Sequence, residues 1–176
     1  EHPPVYTLGL AGRGEHVLRA NGIEVIKVDR GGQVTYHGPG QVVAYVLLDL
    51  RSARAGIRDT VRRLEGAVIA WLGAYGIAAY GKTQAPGVYV HGSAEAPPGS
   101  LGEAKIAALG LKVRRHCTYH GLAVNVAMDL APFADIDPCG YPGLAVVDLA
   151  GLGVTRSVAQ AGDELASHLV TALARA

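Results

Sequence analysis

Leu122, Val124, Val126 and Met128 alternate with Ala123, Asn125, Ala127 and Asp129 along the chain. A period of two marks a strand with one buried face, so residues 122–130 are predicted as β. Shorter β-type runs predict strands at 5–8, 23–28, 87–91 and 105–114. The run at 41–50 is apolar almost throughout, which predicts a central strand covered on both faces. The period changes to three and four at Ile57, Val61, Leu64, Val68, Leu72 and Tyr75, and Gly76 closes that helix. Val158, Leu165, Leu169 and Leu173 predict a second helix, opened by Ser157 and Gln160 at capping-box spacing. Residues 92–102, "GSAEAPPGSLG", read as a surface loop. The sum is an α/β or α+β domain: a mixed sheet flanked by helices, with no detectable linker.

The tetrapeptide TYHG occurs at 35–38 and again at 118–121, each time ahead of an apolar run. Two polar turns at the mouths of two strands are expected from it. Glycine is abundant, 24 residues, and gathers in "DRGGQVTYHGPGQ" and "DPCGYPG", where tight turns or ligand cradles form. The "RGGQ" stretch suits anion binding through backbone N–H groups, but it is neither GxGxxG nor a P-loop.

Composition narrows the classes. A chain of 176 residues with 49% hydrophobic and 18% charged residues is not disordered and fills one core. A net charge of +1 gives no field for nucleic acid or a membrane surface. No apolar run reaches the roughly 18–20 residues of a membrane span, and the opening lacks the pattern of a secretory signal. Cys117 and Cys139 are too few for a disulfide framework, so a reducing cytoplasmic setting is expected.

Cys139, among Pro138, Gly140, Pro142 and Gly143, has a loop setting in which a thiol is reachable; the alternative is a small apolar filler. Such a thiol needs a nearby cation to become a thiolate near neutral pH. Lys105 heads "KIAALGLKV", where it is either an edge charge snorkelling to water or that cation. His37, His116, Cys117, His120 and Cys139 lack the paired short spacings of a structural zinc site, so no metal is expected.

The stretches "RGGQVTYHGPGQ", "KIAALGLKVRRHCTYHGLAVNV" and "DPCGYPG", with "HPPVYTLG" and "APGVYV", resemble the octanoyltransferases of lipoate biosynthesis over most of the chain. The resemblance implies the fold of biotin and lipoate protein ligases, with residues 1–176 as a single catalytic domain and an amino-terminal segment of the family missing. It implies transfer of an octanoyl or lipoyl group from acyl carrier protein to a cysteine, then to a lysine amine, without a cofactor. The acceptors implied are lipoyl domains of 2-oxoacid dehydrogenase complexes and the glycine cleavage H protein. By the same resemblance Cys139 is the nucleophile and Lys105 its partner. Substrate contacts are implied at Arg30, Gly31, Gly32, Gln33, Val34, Thr35, Tyr36 and His37, at Ala108, Leu109 and Gly110, and at Gly121, Leu122 and Ala123. The two TYHG copies would then serve one acyl pocket, His37 from one side and the Gly121 turn from the other. Three rivals remain: an ATP-using ligase of the same fold, a cysteine hydrolase releasing octanoate, and a silent acyl-binding module.

Overall fold

The computed structural model describes residues 1–19, 21–91 and 102–174, and Cys139 by its backbone alone. Strand β1 (Val5–Leu8) pairs in parallel with β2 (Val25–Lys27) and antiparallel with β3 (Val34–His37), making a small sheet of order β2-β1-β3. The large sheet is antiparallel throughout, in the order β4 (Gln41–Tyr45), β8 (Cys117–Asn125), β7 (Glu103–Arg114), β6 (Gly87–His91) and β5 (Ala79–Gly81). Helices α1 (Ile57–Gly73) and α2 (Val158–Ala174) cover one face of that sheet. The mixed α+β architecture read from the sequence is therefore present.

The main core lies between helices and large sheet. Leu64, Val68, Trp71 and Leu72 from α1 and Leu165 and Leu169 from α2 pack on Val88, Val90, Ile106, Leu122 and Val124. Ser157 and Gln160 close the predicted capping box, Ser157 N–H donating to Gln160 Oε1 (3.0 Å) and Gln160 N–H to Ser157 Oγ (3.2 Å). A second cluster of Tyr6, Leu8, Val34, Tyr36, Phe133 and Ile136 holds the small sheet to the segment after β8.

Two expectations fail for physical reasons. The run at 41–50 is not a central strand: its ladder ends at Tyr45 and β4 is an edge of the sheet. Its outer part instead contributes Leu47, 79% exposed. Neither TYHG is a turn: Thr35, Tyr36 and His37 belong to β3, and the second copy lies wholly within β8. The β7–β8 hairpin turns at Arg115 and His116, both left-handed (φ 50° and 68°), and Gly121 lies inside β8. Strands β3 and β5, four and three residues long, were too short to show a period. The surface-loop reading of 92–102 falls outside the described residues except at Gly102.

Candidate active site

The small sheet faces the helix-free side of the large one, and a cavity of about 310 Å³ lies between them. That volume is at the lower end of small-ligand pockets. Its floor follows from the cross-strand register. Val43, Ala123 and Ala108 form one row across β4, β8 and β7; Tyr45, Gly121 and Gly110 form the next. Over the two inner strands every residue of these rows is Ala or Gly, so space is left where side chains would otherwise stand. On the other face of the same strands Val42, Leu122 and Val124 fill the core.

The roof is built by the loop after β2. Gly31 N–H donates to the Leu111 carbonyl (3.0 Å), and a Cβ on Gly110 would lie 2.8 Å from Gly31 O, so Gly110 lets the loop close on the sheet. Arg30 folds back: Nε donates to Thr7 Oγ1 (3.2 Å) and Nη1 to Gly31 O (3.0 Å). Asp29 accepts from Tyr119 Oη and contacts His120 Nε2 (2.8 Å), and these bonds hold its carboxyl below the usual range.

All the residues expected at the substrate line this cavity except Gly31 and Tyr36: Arg30, Gly32, Gln33, Val34, Thr35 and His37 above, Ala108, Leu109, Gly110, Gly121, Leu122 and Ala123 below. Gly31 contributes backbone to the roof. Tyr36 points into the second core, edge-on to Phe133 with ring centres 5.4 Å apart. In β3 alternation sends Val34 and Tyr36 inward and leaves Thr35 and His37 half-buried on the cavity side.

His37 is locked by a polar relay that the sequence reading missed. Gln41 Nε2 donates to Asn125 Oδ1 (3.0 Å) and to the Tyr36 carbonyl (3.3 Å), so Gln41 Oε1 is left as an acceptor. His37 Nδ1, 2.8 Å from that oxygen, must carry the proton, and Nε2 then bears the lone pair. Asn125 Nδ2 completes the chain on the Val147 carbonyl (3.0 Å). Burial, with Arg30 and His2 nearby, lowers His37 to about 4, against the pull of Gln41. The imidazole is neutral at pH 7.

A second, small cavity adjoins the first at Thr35 and Ala108; Gln41, Asn125, Lys105 and Pro138 also line it. Lys105 reaches it because of a bulge. Val88 pairs with Ala107 but Tyr89 with Lys105, so Ile106 is an extra residue in β7. Strict alternation would place Lys105 on the helix side with Ala107, Leu109 and Leu111; the bulge puts it on the side of Ala108 and Gly110. Lys105 is 4% exposed, so it does not snorkel to water. Its Nζ donates to the Pro86 carbonyl (3.2 Å) and lies 5.4 Å from the Tyr89 ring centre. A Cβ on Gly87 would come within 2.4 Å of Lys105 Cε, so only glycine leaves room for that side chain.

The segment after the PCG turn runs beside Lys105: Lys105 N–H donates to Ala145 O (2.8 Å) and Val147 N–H to Lys105 O (3.1 Å). Cys139 sits in the 3₁₀ turn Pro138–Gly140, between the Pro138 of the small cavity and Gly140, where a Cβ would lie 3.3 Å from Gln33 Nε2. Its thiol lies outside the described atoms. Cys117, at the start of β8, is exposed. Among the described residues no three His, Cys, Asp or Glu side chains converge on a common point, and no helix is long and apolar enough to cross a membrane.

The family model for the lipoyl protein ligase A/B catalytic domain matches residues 1–170. An octanoyltransferase of Laribacter hongkongensis is 55% identical over 175 residues, 99% of this chain and 79% of that one. One from Thiobacillus denitrificans is 57% identical over 173 residues, covering 98% and 74%. A bipartite lipoate protein ligase of Thermoplasma acidophilum superposes with a TM-score of 0.70 at 18% identity, over 98% of this chain and 69% of that one. A lipoate-protein ligase A bound with ATP gives 0.66 at 19%, over 98% and 68%. These two likenesses concern the fold alone.

Proposed function

The chain belongs to the lipoyl protein ligase A/B catalytic family, and we propose that it moves its acyl group in two steps, through Cys139 with Lys105 as proton carrier. It is an acyltransferase that transfers octanoyl groups in protein lipoylation, in keeping with the octanoyltransferases it resembles and the lipoyl ligase family it belongs to. The donor in this reading is octanoyl-acyl carrier protein and the acceptor a lysine amine of a lipoyl domain, with residues 1–176 acting as one catalytic domain.

The observation that carries the reading is a buried ammonium beside an apolar cavity. Lys105 stands where the acyl cavity narrows toward Pro138, the neighbour of Cys139. An octanoyl tail of seven methylene and methyl groups gains about 5–6 kcal/mol on leaving water, at about 0.8 kcal/mol per carbon. Its thioester end then falls among Lys105, Gln41 and Asn125.

The protons balance over the cycle. Lys105 as an ammonium favours the Cys139 thiolate, which attacks the donor carbonyl. The tetrahedral intermediate collapses with loss of the carrier thiolate, which takes a proton from Lys105. A neutral acceptor amine attacks the acyl-enzyme, neutral Lys105 removes its proton, and the Cys139 thiolate leaves as the amide forms. The resting ion pair is restored and no ATP is consumed. The roof and floor keep water from the thioester, which limits hydrolysis.

Mass spectrometry after mixing with octanoyl-carrier tests this directly. The expected result is an octanoyl adduct on the Cys139 peptide, formed without ATP or Mg²⁺, lost in Cys139→Ser and discharged by a lipoyl domain. An adduct on Cys117, or transfer that needs ATP, refutes it.

A further inference from the structure

Glu65 lies on α1 with its carboxylate turned into the protein, 8% exposed, and the acyl transfer above gives it no part. A buried carboxylate is costly unless charge or hydrogen bonds compensate it. Glu65 Oε1 accepts the Gly87 N–H (2.9 Å), and Oε2 lies against the Gly81 backbone, where a Cβ would come within 3.0 Å. The next peptide back carries the Pro86 carbonyl that receives Lys105 Nζ (3.2 Å). Carboxylate, Gly87 N–H, Pro86 C=O and Lys105 ammonium thus form one line from the helix to the reaction centre.

We propose that Glu65 is a positioning residue for Lys105. It fixes the peptide between Pro86 and Gly87 on which the lysine head group rests, and its negative charge stands opposite the positive one of Lys105 in a site closed to water. This rests on Lys105 being the proton carrier. Burial pushes the Glu65 carboxyl up, while the Gly87 N–H and the positive Lys105 draw it back. Among the described residues the ionisable groups near Lys105 include Tyr89 on β6, under its Nζ, with Tyr80 on β5, Lys82 after it and Glu103 on β7 around that ring. Tyr80 and Lys82 are both bonded to Glu103, so that carboxylate is already engaged. Glu65 comes from the opposite side and serves Lys105.

The test compares Glu65→Gln and Glu65→Leu by steady-state and single-turnover kinetics with octanoyl-carrier as donor. Glu65→Gln keeps an oxygen for the Gly87 N–H and deletes the charge; Glu65→Leu also frees the Gly87 N–H. Glu65→Gln should lower kcat by about 10-fold and Glu65→Leu by more, with the donor KM near the parent value in both, as for a residue that acts through the lysine and not on substrate binding. A Glu65→Gln kcat equal to the parent's would overturn the charge role. Equal kcat for the Gln and Leu variants would overturn the peptide-holding role, and a parallel rise in donor KM would overturn the assignment to positioning. Full activity in Lys105→Met would instead refute the proton-carrier reading on which the inference rests.

Discussion

The two sides of one bulge in β7 are built on opposite principles. Beyond Ile106, Ala108 and Gly110 make a site by what they lack, a floor without side chains under a roof of loop. Before it, Lys105 makes a site by a charge that is held, through the Pro86 carbonyl, Gly87 and Glu65. A void tolerates change in small steps, because each methylene gained or lost alters the space by one increment. A buried charge does not: a missing partner leaves an uncompensated group, and the whole constellation fails together. Substitutions on the two sides should therefore differ in kind as well as in size.

The largest effect belongs to the charged side. Lys105→Met keeps an unbranched side chain as far as Cε and removes the proposed proton carrier, so transfer should fall by about 10²–10⁴-fold. Binding of a non-reactive octanoyl thioester analogue should be nearly unchanged, since the acyl cavity is intact. Calorimetry beside single-turnover kinetics separates the two, and a parallel loss of binding would erase the proposed division.

Gly87→Ala sharpens the contrast from the backbone. The added methyl would lie 2.4 Å from Lys105 Cε and 2.8 Å from the Ala107 carbonyl, so the lysine must move. A displacement of about 1 Å at a reacting group costs on the order of 100-fold. Roughly a 10–100-fold loss in kcat with unchanged analogue affinity is expected. Unchanged kcat would mean that the lysine head group is not held where it acts.

How much of this was legible in the sequence divides along the same line. The residues of the floor lie in familial stretches, "ALG" at 108–110 and "GLA" at 121–123, and these residues line the cavity. The two helices and most strands followed from their periods. Lys105 was singled out, but not the bulge that turns it: "KIAALGLKV" is apolar at nearly every position, so a one-residue change of phase leaves no mark. Glu65 did leave one. It falls between Val61 and Val68 on the stripe of α1 that faces the core, where a carboxylate calls for a partner. That partner is a backbone N–H contributed by β6, and a backbone group has no sequence signature. Gln41 and Asn125 were hidden likewise, since only the β4–β8 register sets them opposite each other.

His37 stands at the join of the two regions, and its neutrality can be read as stability. Its folded value of about 4 lies below the ordinary 6.5, so between those values the unfolded chain binds a proton that the folded one refuses. Stability associated with His37 is therefore whole above about pH 6.5 and lost as pH falls toward 4. Urea unfolding at pH 7 and pH 4.5 should show the wild type losing about 2–3 kcal/mol more than His37→Gln, at 1.36 kcal/mol per unit. Equal losses would show that the imidazole is accessible to protons in the folded state.

The smallest effect belongs to the void. Val43 stands at the β4 end of the floor row with Ala123 and Ala108, and it lines the acyl cavity but not the cavity of Lys105. Val43→Leu adds one carbon to that wall, and Val43→Ala removes two. If the octanoyl tail lies in this space, the first should disfavour octanoyl relative to hexanoyl donors by roughly 4-fold, the worth of one buried methylene. The second should favour decanoyl by a few-fold, while the rate with hexanoyl changes little in either variant. The comparison uses kcat/KM for a series of acyl-carrier donors, so folding losses cancel between chain lengths. Opposite shifts in the two variants locate the tail over the Ala–Gly floor. An equal change at every length would place the tail elsewhere and leave the cavity without the role given to it.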